Sequence, residues 1–391
     1  MMKNTPMRIG FIVNNYPPHL GGVERHVHDL ATELAERKHE ISVITLADKK
    51  ASNPSPQHQQ LLSDSSATKS AIRVLRFPRW LNVGDVFSLP TPVALGRIIR
   101  TVKHSHFDVI SVHTRFFPLT WLGVLLGKHL KIPVLLTEHG SDFVINDSRF
   151  VTLVSKAVDY TFGRFALRHA THRLGVSPAV VKFVRRLAGV ETKVFFNAVA
   201  PPDSRIKHHK PTKLVFVGRL VPGKGWKSFI DIAVTLKKDI PNLSAAIIGG
   251  GPDEQKVRAA SPSWINVTGQ IPHSAAVKEL AGSTLVNPTI LSEGFQTTVV
   301  EAVVNGGRVV GYPEPASSAL QEAGAPVTIV ERGNEDELLK ATRETLLHPK
   351  PTLSLKEAEK WTWPWRAEEF EKICQKLIAD FPPKPRGVRR R

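Results

Sequence analysis

Cysteine is nearly absent: the 391 residues contain one, Cys374. A single thiol excludes an internal disulfide framework and any multi-cysteine zinc site, and it suits a reducing, cytosolic compartment. Long apolar runs are missing as well. The longest, Phe116 to Gly127, ends at Lys128 and His129, short of the ~20 residues a bilayer span requires. The opening MMKNTPMRIGFIVNNYPPHLGG has an apolar run, Ile9 to Val13, too brief for a secretory core, and no small-residue cleavage site follows. Neither export nor a membrane crossing is expected. Zinc-finger spacing, a basic helix with heptads and an aromatic single-strand motif are also lacking, so no nucleic-acid partner is expected.

What the chain has in excess is positive charge, +18 formally. Residues 1–200 hold 26 Lys/Arg against 14 Asp/Glu, and Lys384–Arg391 adds five basic residues and no acid. The remainder, 201–383, is close to balance. A basic half joined to a neutral half points to an anionic surface or a phosphorylated substrate at one end, although solubility alone would also account for such a balance. Hydrophobic residues at 41% and charged residues at 23% are ordinary for a globular protein, and the length fits two or three domains.

Two regions repeat one rhythm of short apolar run, glycine-bearing turn and amphipathic helix. The first opens with Arg8–Asn14, turns through YPPHLGG and enters a helix over about 23–38, with Val27, Leu30, Ala31 and Leu34 at helical spacing. Further strands are predicted at 41–46, 72–77, 109–112, 134–137 and 173–176. The polar stretch 47–70 reads as a loop. Near residue 200 the proline-rich NAVAPPDSRIKHHKPTK reads as a linker, after which the rhythm restarts with Lys213–Val217, GRLVPGKG and a helix over 226–237. Strands alternating with helices imply parallel, doubly wound sheets. The expected fold class is α/β, with two tandem Rossmann-like domains facing a central cleft. The expected boundaries are 1–200, 201–365, a helix at 366–381 that crosses back to the first domain, and a basic tail at 382–391.

Four glycine-bearing turns follow predicted strands: Gly21-Gly22-Val23-Glu24, the Gly218–Gly225 turn, Gly249-Gly250-Gly251, and Ser292-Glu293-Gly294-Phe295. At such places the backbone can approach a phosphate while a helix N-terminus supplies N–H donors. None matches G-x-G-x-x-G or a P-loop, since Gly225 follows Lys224. Arg219 and Lys224, bracketing one Gly/Pro turn, are suited to gripping a diphosphate from both sides. That grip would stabilise charge on a departing nucleoside diphosphate with no metal ion required. Glu293 and Glu301 suit pairs of vicinal hydroxyls, as on a sugar and a ribose, though both also have plain structural uses at a helix start. Metal ligation by His26 with His28, or by His208 with His209, is not expected, because neither pair has a third partner at ligand spacing. His113 and Arg115 could meet an anionic acceptor or be ordinary loop residues. Trp361, Trp363 and Trp365 are expected to pack the last helix.

In order along the chain, PPHLGGVERHV (17–27), TEHG (137–140), VGRLVPGKG (217–225), IGGGP (248–252) and EGFQTTVVE (293–301) together resemble the retaining glycosyltransferases of family 4, which have the GT-B fold. The resemblance runs from about Arg8 to Phe381. It implies that Gly21 and Gly22 lie beside a donor diphosphate and that Arg219 and Lys224 clamp it. Glu293 would hold sugar hydroxyls with the amides of Gly294, Phe295 and Gln296, and Glu301 would bind the ribose. His139 would lie near the reacting sugar. The implied reaction uses a nucleoside-diphosphate sugar, no resident cofactor and no metal, and transfers a hexose to a cell-envelope, lipid-linked or glycan acceptor at the inner face of a membrane. Two departures stand out: Asn197-Ala198-Val199 replaces the usual N-G-V, and Gln296 replaces a glycine. Competing readings are a sugar-nucleotide epimerase or soluble disaccharide synthase of the same fold, and a non-catalytic nucleotide- or RNA-binding protein.

Overall fold

The computed structural model describes residues 5–18, 21–47, 72–83, 87–143, 149–202, 210, 212–291 and 294–381. Nearly all of the polar stretch 47–70, the basic tail, His208, His209 and Glu293 lie outside the described residues. The chain divides into two compact units, Met1–Phe196 with Arg366–Arg391, and Asn197–Trp365.

The first unit begins β1 (Arg8–Ile12), α1 (Gly22–Glu36), β2 (Glu40–Leu46), β3 (Arg73–Phe77), the hairpin β4 (Arg79–Val83) and β5 (Phe87–Pro90), and α2 (Pro92–Ser105). It continues with β6 (Val109–His113), α3 (Pro118–Leu130), β7 (Val134–Glu138), α4 (Arg149–Val158), a π turn (Asp159–Gly163), α5 (Arg164–His169), β8 (His172–Gly175), α6 (Pro178–Ala188) and β9 (Lys193–Val194). Seven strands form one parallel sheet in the order β3-β2-β1-β6-β7-β8-β9. Ile9 of β1 sits in register with Ile41 on one side and Val109 on the other. Every residue of β6 and β7 is buried, which is why these strands read as unbroken apolar runs: helices cover both faces. Helix α1 buries Val27, Leu30, Ala31 and Leu34 completely. Its neighbours have local start and stop signals. Thr91 caps α2 by accepting from the Ala94 amide at 3.2 Å. Ser177 caps α6, and Gly189 ends it in the left-handed region at φ +67°.

The second unit contains β10 (Lys213–Val217), α7 (Trp226–Asp239), β11 (Ser244–Ile248), α8 (Glu254–Ala260), β12 (Ile265–Gly269), α9 (His273–Leu280) and β13 (Thr284–Asn287). It ends with α10 (Thr297–Val304), β14 (Arg308–Gly311), α11 (Pro315–Glu322), β15 (Val327–Ile329), α12 (Glu335–Leu347) and α13 (Leu355–Glu359). Its six strands are parallel in the order β12-β11-β10-β13-β14-β15. Both sheets are therefore doubly wound, as the alternation of strands and helices indicated. This unit opens at Asn197, the first residue of the stretch read as a linker. The cause is backbone pairing: the Val199 amide donates to the Trp361 carbonyl and the Trp363 amide to the Val199 carbonyl, both at 3.0 Å.

The last helix, α14 (Trp363–Asp380), leaves the second unit and packs on the first from Arg366 onward. Trp361 and Trp363 are buried as expected, whereas Trp365 is 47% exposed. Phe370 stacks on Phe11 and lies against Phe195. Glu371, almost fully buried, takes Arg37 at 2.7 Å and lies 3.6 Å from His39 Nε2. Cys374 is completely buried beside it, and burial pushes its thiol pKa well up, so this lone cysteine packs as a small apolar residue.

Replacing Glu371 with Gln leaves Arg37 and His39 facing a neutral group. Because Arg37 is partly solvated, the expected loss is about 2 kcal/mol rather than the larger cost of a fully buried pair. The melting temperature of the first unit should fall by roughly 4–8 °C. The exposed pair Lys227–Asp231 is the control: Asp231→Ala should change stability by less than about 0.5 kcal/mol. Equal effects in the two variants would contradict the role given to Glu371.

Candidate active site

In the second unit β10 lies between β11 and β13, so the chain leaves the carboxyl ends of β10 and β13 in opposite directions. A crevice opens at such a switch point. The turn after β10 carries Arg219, which is exposed and makes no ion pair among the described residues, and Lys224, which is half-buried. The Lys224 stem lies over Gly218: a Cβ placed on that glycine would be 3.9 Å from Lys224 Cδ. Gly223 and Gly225 adopt φ +82° and +84°. A Cβ on Gly225 would sit 2.4 Å from the Pro288 carbonyl oxygen, and the Ile290 amide donates to the Gly223 carbonyl at 2.9 Å. The turn after β10 is thus pressed against the segment after β13, and only glycine permits it.

The Gly249-Gly250-Gly251 turn packs closely on the turn after β10. A Cβ on Gly249 would lie 1.9 Å from the Gly218 carbonyl oxygen, and one on Gly251 would lie 2.5 Å from that of Leu220. These glycines make room for the neighbouring turn, which they buttress.

After β13, Glu293 is outside the described residues, and Gly294, Phe295 and Gln296 lead into α10. Gln296 is the N-cap and contributes no side-chain cap, so the first-turn amides of α10 are not satisfied by a capping side chain. The Gln296 side chain, expected beside a donor sugar, instead accepts from Asn287 Nδ2 at 2.8 Å. Its backbone N–H points to the buried carboxylate of Glu314, which also accepts from the amides of Ala316, at 3.0 Å, and Ser317. Burial raises the Glu314 pKa and those donors pull it back. The Gln296 amide thus lies on the side of Glu314. Glu301, in α10, has a partner that spacing did not reveal: His273 Nε2, at the first residue of α9, lies 2.7 Å from its Oε1. Arg219, Lys224, Gly294–Gln296 and the Glu301–His273 pair all belong to the carboxyl edge of this sheet.

The first unit has its own switch point, between β2 and β6 on either side of β1. Gly21 is the N-cap of α1. A Cβ there would lie 2.1 Å from Glu24 Oε2, whereas one on Gly22 would meet nothing within 4 Å. The buried Glu24 carboxylate thus folds back over the helix start beside Gly21. At the same edge His26 of α1, His113 at the end of β6 and His139 after β7 converge, with one ring nitrogen from each lying within 4.8 Å of the others. His113 Nδ1 and His139 Nε2 are 3.2 Å apart, and Ser111 Oγ is 3.1 Å from His113 Nε2. Burial drives His113 well below its ordinary pKa, helped by the other two imidazoles, and burial alone takes His139 down to about 3. Burial thus favours neutral imidazoles at His113 and His139, and the three rings are close enough to hold a cation between them. The expectation that His26 lacks a third partner is corrected: its partners come from strands more than eighty residues away, which sequence spacing cannot show.

His139 is held by its neighbour. Glu138 Oε1 accepts from the amides of His139, at 3.0 Å, and Gly140, at 2.8 Å, and takes Arg115 Nη1 at 2.9 Å. Arg115, 2% exposed, also pairs with Asp159 at 2.9 Å. Arg115 is therefore not available to an acceptor, and the sequence reading that left this open closes on a buried Glu138–Arg115–Asp159 triad.

Residues 20–201 match the model of Glycosyltransferase Family 4, and residues 202–361 match that of Glycosyl transferases group 1. The chain is similar to the GDP-mannose-dependent alpha-(1-6)-phosphatidylinositol monomannoside mannosyltransferase of Mycolicibacterium smegmatis, with 27% identity covering 91% of this chain and 94% of that one. It is also similar to the alpha-monoglucosyldiacylglycerol synthase of Acholeplasma laidlawii, with 23% identity covering 96% and 97%. Among solved structures it resembles HepE of Anabaena in complex with UDP, with a TM-score of 0.62, 18% identity and coverage of 96% and 98%. Two doubly wound units in tandem, each matched along nearly its whole length, place the chain among the family 4 glycosyltransferases, with the GT-B fold.

Proposed function

We propose that the protein transfers a hexose from a nucleoside-diphosphate sugar to a hydroxyl of a lipid-linked or glycan acceptor, with retention at the anomeric carbon. One observation carries this reading: at the switch point of the second unit, the turn bearing Arg219 and Lys224 is locked by Gly225 onto the segment that leads to α10. The two cations thereby lie on the same sheet edge as the start of α10, which carries Glu301. Relatives named for lipid acceptors and a fold neighbour bound to UDP support the assignment.

In the proposed reaction the bond between the anomeric carbon and the diphosphate oxygen breaks, and the acceptor oxygen bonds on the same face. The acceptor proton passes to the departing diphosphate. Arg219 and Lys224 stabilise the charge that builds on that leaving group. Glu293 holds sugar hydroxyls with the amides of Gly294 and Phe295, and Glu301, oriented by His273, takes the ribose. From the first unit we assign His139, fixed through Glu138, as a neutral hydrogen-bonding group for the sugar rather than a cationic acid. The basic first half supports docking of the protein, as a peripheral cytoplasmic enzyme, at the anionic inner face of a membrane.

Three outcomes test this reading. With an α-linked donor, proton NMR should show an α-linked product; a β-linked product would refute retention. Glu301→Gln should raise the donor KM roughly 10- to 100-fold, as loss of a charge-assisted hydrogen bond requires, with kcat changed far less. An unchanged KM would remove Glu301 from the donor site. Because His139 titrates near 3 rather than 6.5, it stays neutral above pH 5, and the rate should show no acidic limb near 6.5 that His139→Asn abolishes. The same depressed pKa means the unfolded chain binds the extra proton first as pH falls. Stability is full above about pH 6.5 and declines below it by about 1.4 kcal/mol per pH unit for each such histidine, readable in melts of wild type and His139→Asn.

A further inference from the structure

Three histidines meet at the carboxyl edge of the first sheet, each delivered by a different element. His26 lies in the second turn of α1, His113 ends β6 and His139 follows β7. Strands β6 and β7 run in parallel register with His113 opposite Thr137. His139, two places beyond Thr137, and Ser111, two places before His113, therefore continue on one side of the sheet. His26 is 2% exposed and His113 is fully buried, whereas His139 keeps partial access to solvent. Two nitrogen donors are thus held in the interior, and the third marks a way in. Phe11 stacks on His113 with centroids 5.9 Å apart, and Phe195 meets His26 at 6.3 Å, so the rings rest on an apolar floor. Among the described residues no other group of three histidine, cysteine or carboxylate side chains converges so closely.

The spacing suits ligands around one ion. Zinc takes imidazole nitrogens at about 2.0–2.1 Å in a tetrahedron, which sets two of them about 3.3 Å apart and their ring centroids about 5.2 Å apart. His113 Nδ1 and His139 Nε2 are 3.2 Å apart. The centroid distances are 4.7 Å for His26–His139, 5.4 Å for His26–His113 and 5.5 Å for His113–His139. One nitrogen of each ring falls within 4.8 Å of the others, and a turn of the His26 ring closes the remainder. A hydrogen bond between two imidazoles accounts for the 3.2 Å contact alone and has no use for a third ring. Support also comes from behind the cluster. Ser111 Oγ, 3.1 Å from His113 Nε2, is placed to accept its N–H, which leaves the Nδ1 lone pair facing the other rings. Three imidazoles with no carboxylate make a neutral, borderline-soft donor set, which selects zinc over magnesium or calcium.

We infer that His26, His113 and His139 form a site for one zinc ion, and that filling it arrests glycosyl transfer. Three protein ligands leave a fourth position to water. The transfer proposed above needs no metal, but it does need His139 as a hydrogen-bonding group for the sugar. A His139 ring bound through Nε2 to zinc is held in the cluster, and that hydrogen bond is lost. The arrest rests on the role given to His139 in the proposed function, whereas the binding of zinc does not.

Calorimetric titration of zinc chloride into the full, chelator-treated chain tests the site. One equivalent should bind with a Kd of about 1 µM or tighter, and cobalt in its place should give the visible absorption of a tetrahedral ion. Ser111→Ala keeps all three ligands and should weaken zinc about tenfold or more with an unchanged melt. His26→Asn should remove the stoichiometric site; if that variant does not fold, Ser111→Ala still decides. The exposed His129 is the control, and His129→Gln should bind zinc as the wild type does. In the transfer assay free zinc should inhibit with a midpoint near the calorimetric Kd, and Ser111→Ala should move both by one factor. The thermal shift with donor sugar nucleotide, measured without metal, should be the same for wild type and Ser111→Ala. Binding weaker than about 10 µM, or zinc affinity that Ser111→Ala leaves untouched, overturns the site while the glycosyltransferase reading stands. Stoichiometric zinc that leaves transfer unchanged, or raises it, overturns the arrest. Loss of the donor shift and of transfer in the metal-free wild type would instead remove the glycosyltransferase reading, and with it the arrest, whatever the calorimetry shows.

Discussion

The absence of a side chain at Gly225 determines how the second unit can work. With a Cβ there, the turn after β10 would collide with the Pro288 carbonyl, and the two loops flanking the switch point would be forced apart. Because the glycine lets them meet, the Gly223 carbonyl accepts from Ile290 and the loop bearing Arg219 and Lys224 is registered against the loop leading to α10. Gly249 and Gly251 repeat the device on the other side, admitting the Gly218 and Leu220 carbonyls. Three consecutive strand ends are thus interlocked through backbone. Arg219 makes no ion pair among the described residues, which leaves its charge for an anion.

In the first unit the corresponding work is done by a buried ion triad. Glu138 accepts from two successive amides as well as from Arg115, so the backbone that carries His139 cannot move without breaking charge-assisted bonds in a dry environment. Asp159 completes the neutralisation of Arg115 from the π turn, a helix irregularity of the kind that commonly marks functional positions. In the histidine cluster beside it, burial opposes protonation of His113 and His139, and for His113 the neighbouring imidazoles add to it. The unit thus offers its site hydrogen-bonding capacity rather than charge, whereas the second unit offers charge. That division agrees with a reaction whose ionic partner is the leaving diphosphate.

Much of this architecture was readable from residue order. The doubly wound sheets follow from apolar runs such as Lys213–Val217 and helices such as α1, because burial on both faces of a parallel sheet leaves a strong local pattern. Elements without such a pattern were missed. The β4–β5 hairpin is short and flanked by prolines, β15 has three residues, and the π turn has no sequence period of its own. At the site, Arg219, Lys224 and Glu301 were legible because each lies in a short contiguous motif. His113 with His26, Glu301 with His273, and Gln296 with Glu314 were not, because those pairings join segments that only the sheet order brings together. Arg115 was the most misleading residue. A lone arginine after a strand reads as exposed, and nothing local indicates two carboxylates waiting in the interior.

The central claim is that the carboxyl edge of the second sheet captures a nucleoside diphosphate through Arg219 and Lys224. Calorimetric titration of UDP, GDP and ADP into the full chain, and into the Arg219→Ala/Lys224→Ala double variant, tests it most directly. The account predicts one saturable site on the wild-type protein, with affinity for the preferred diphosphate reduced about 100-fold or more in the double variant and the melt unchanged. Equal affinity in the two proteins would contradict it.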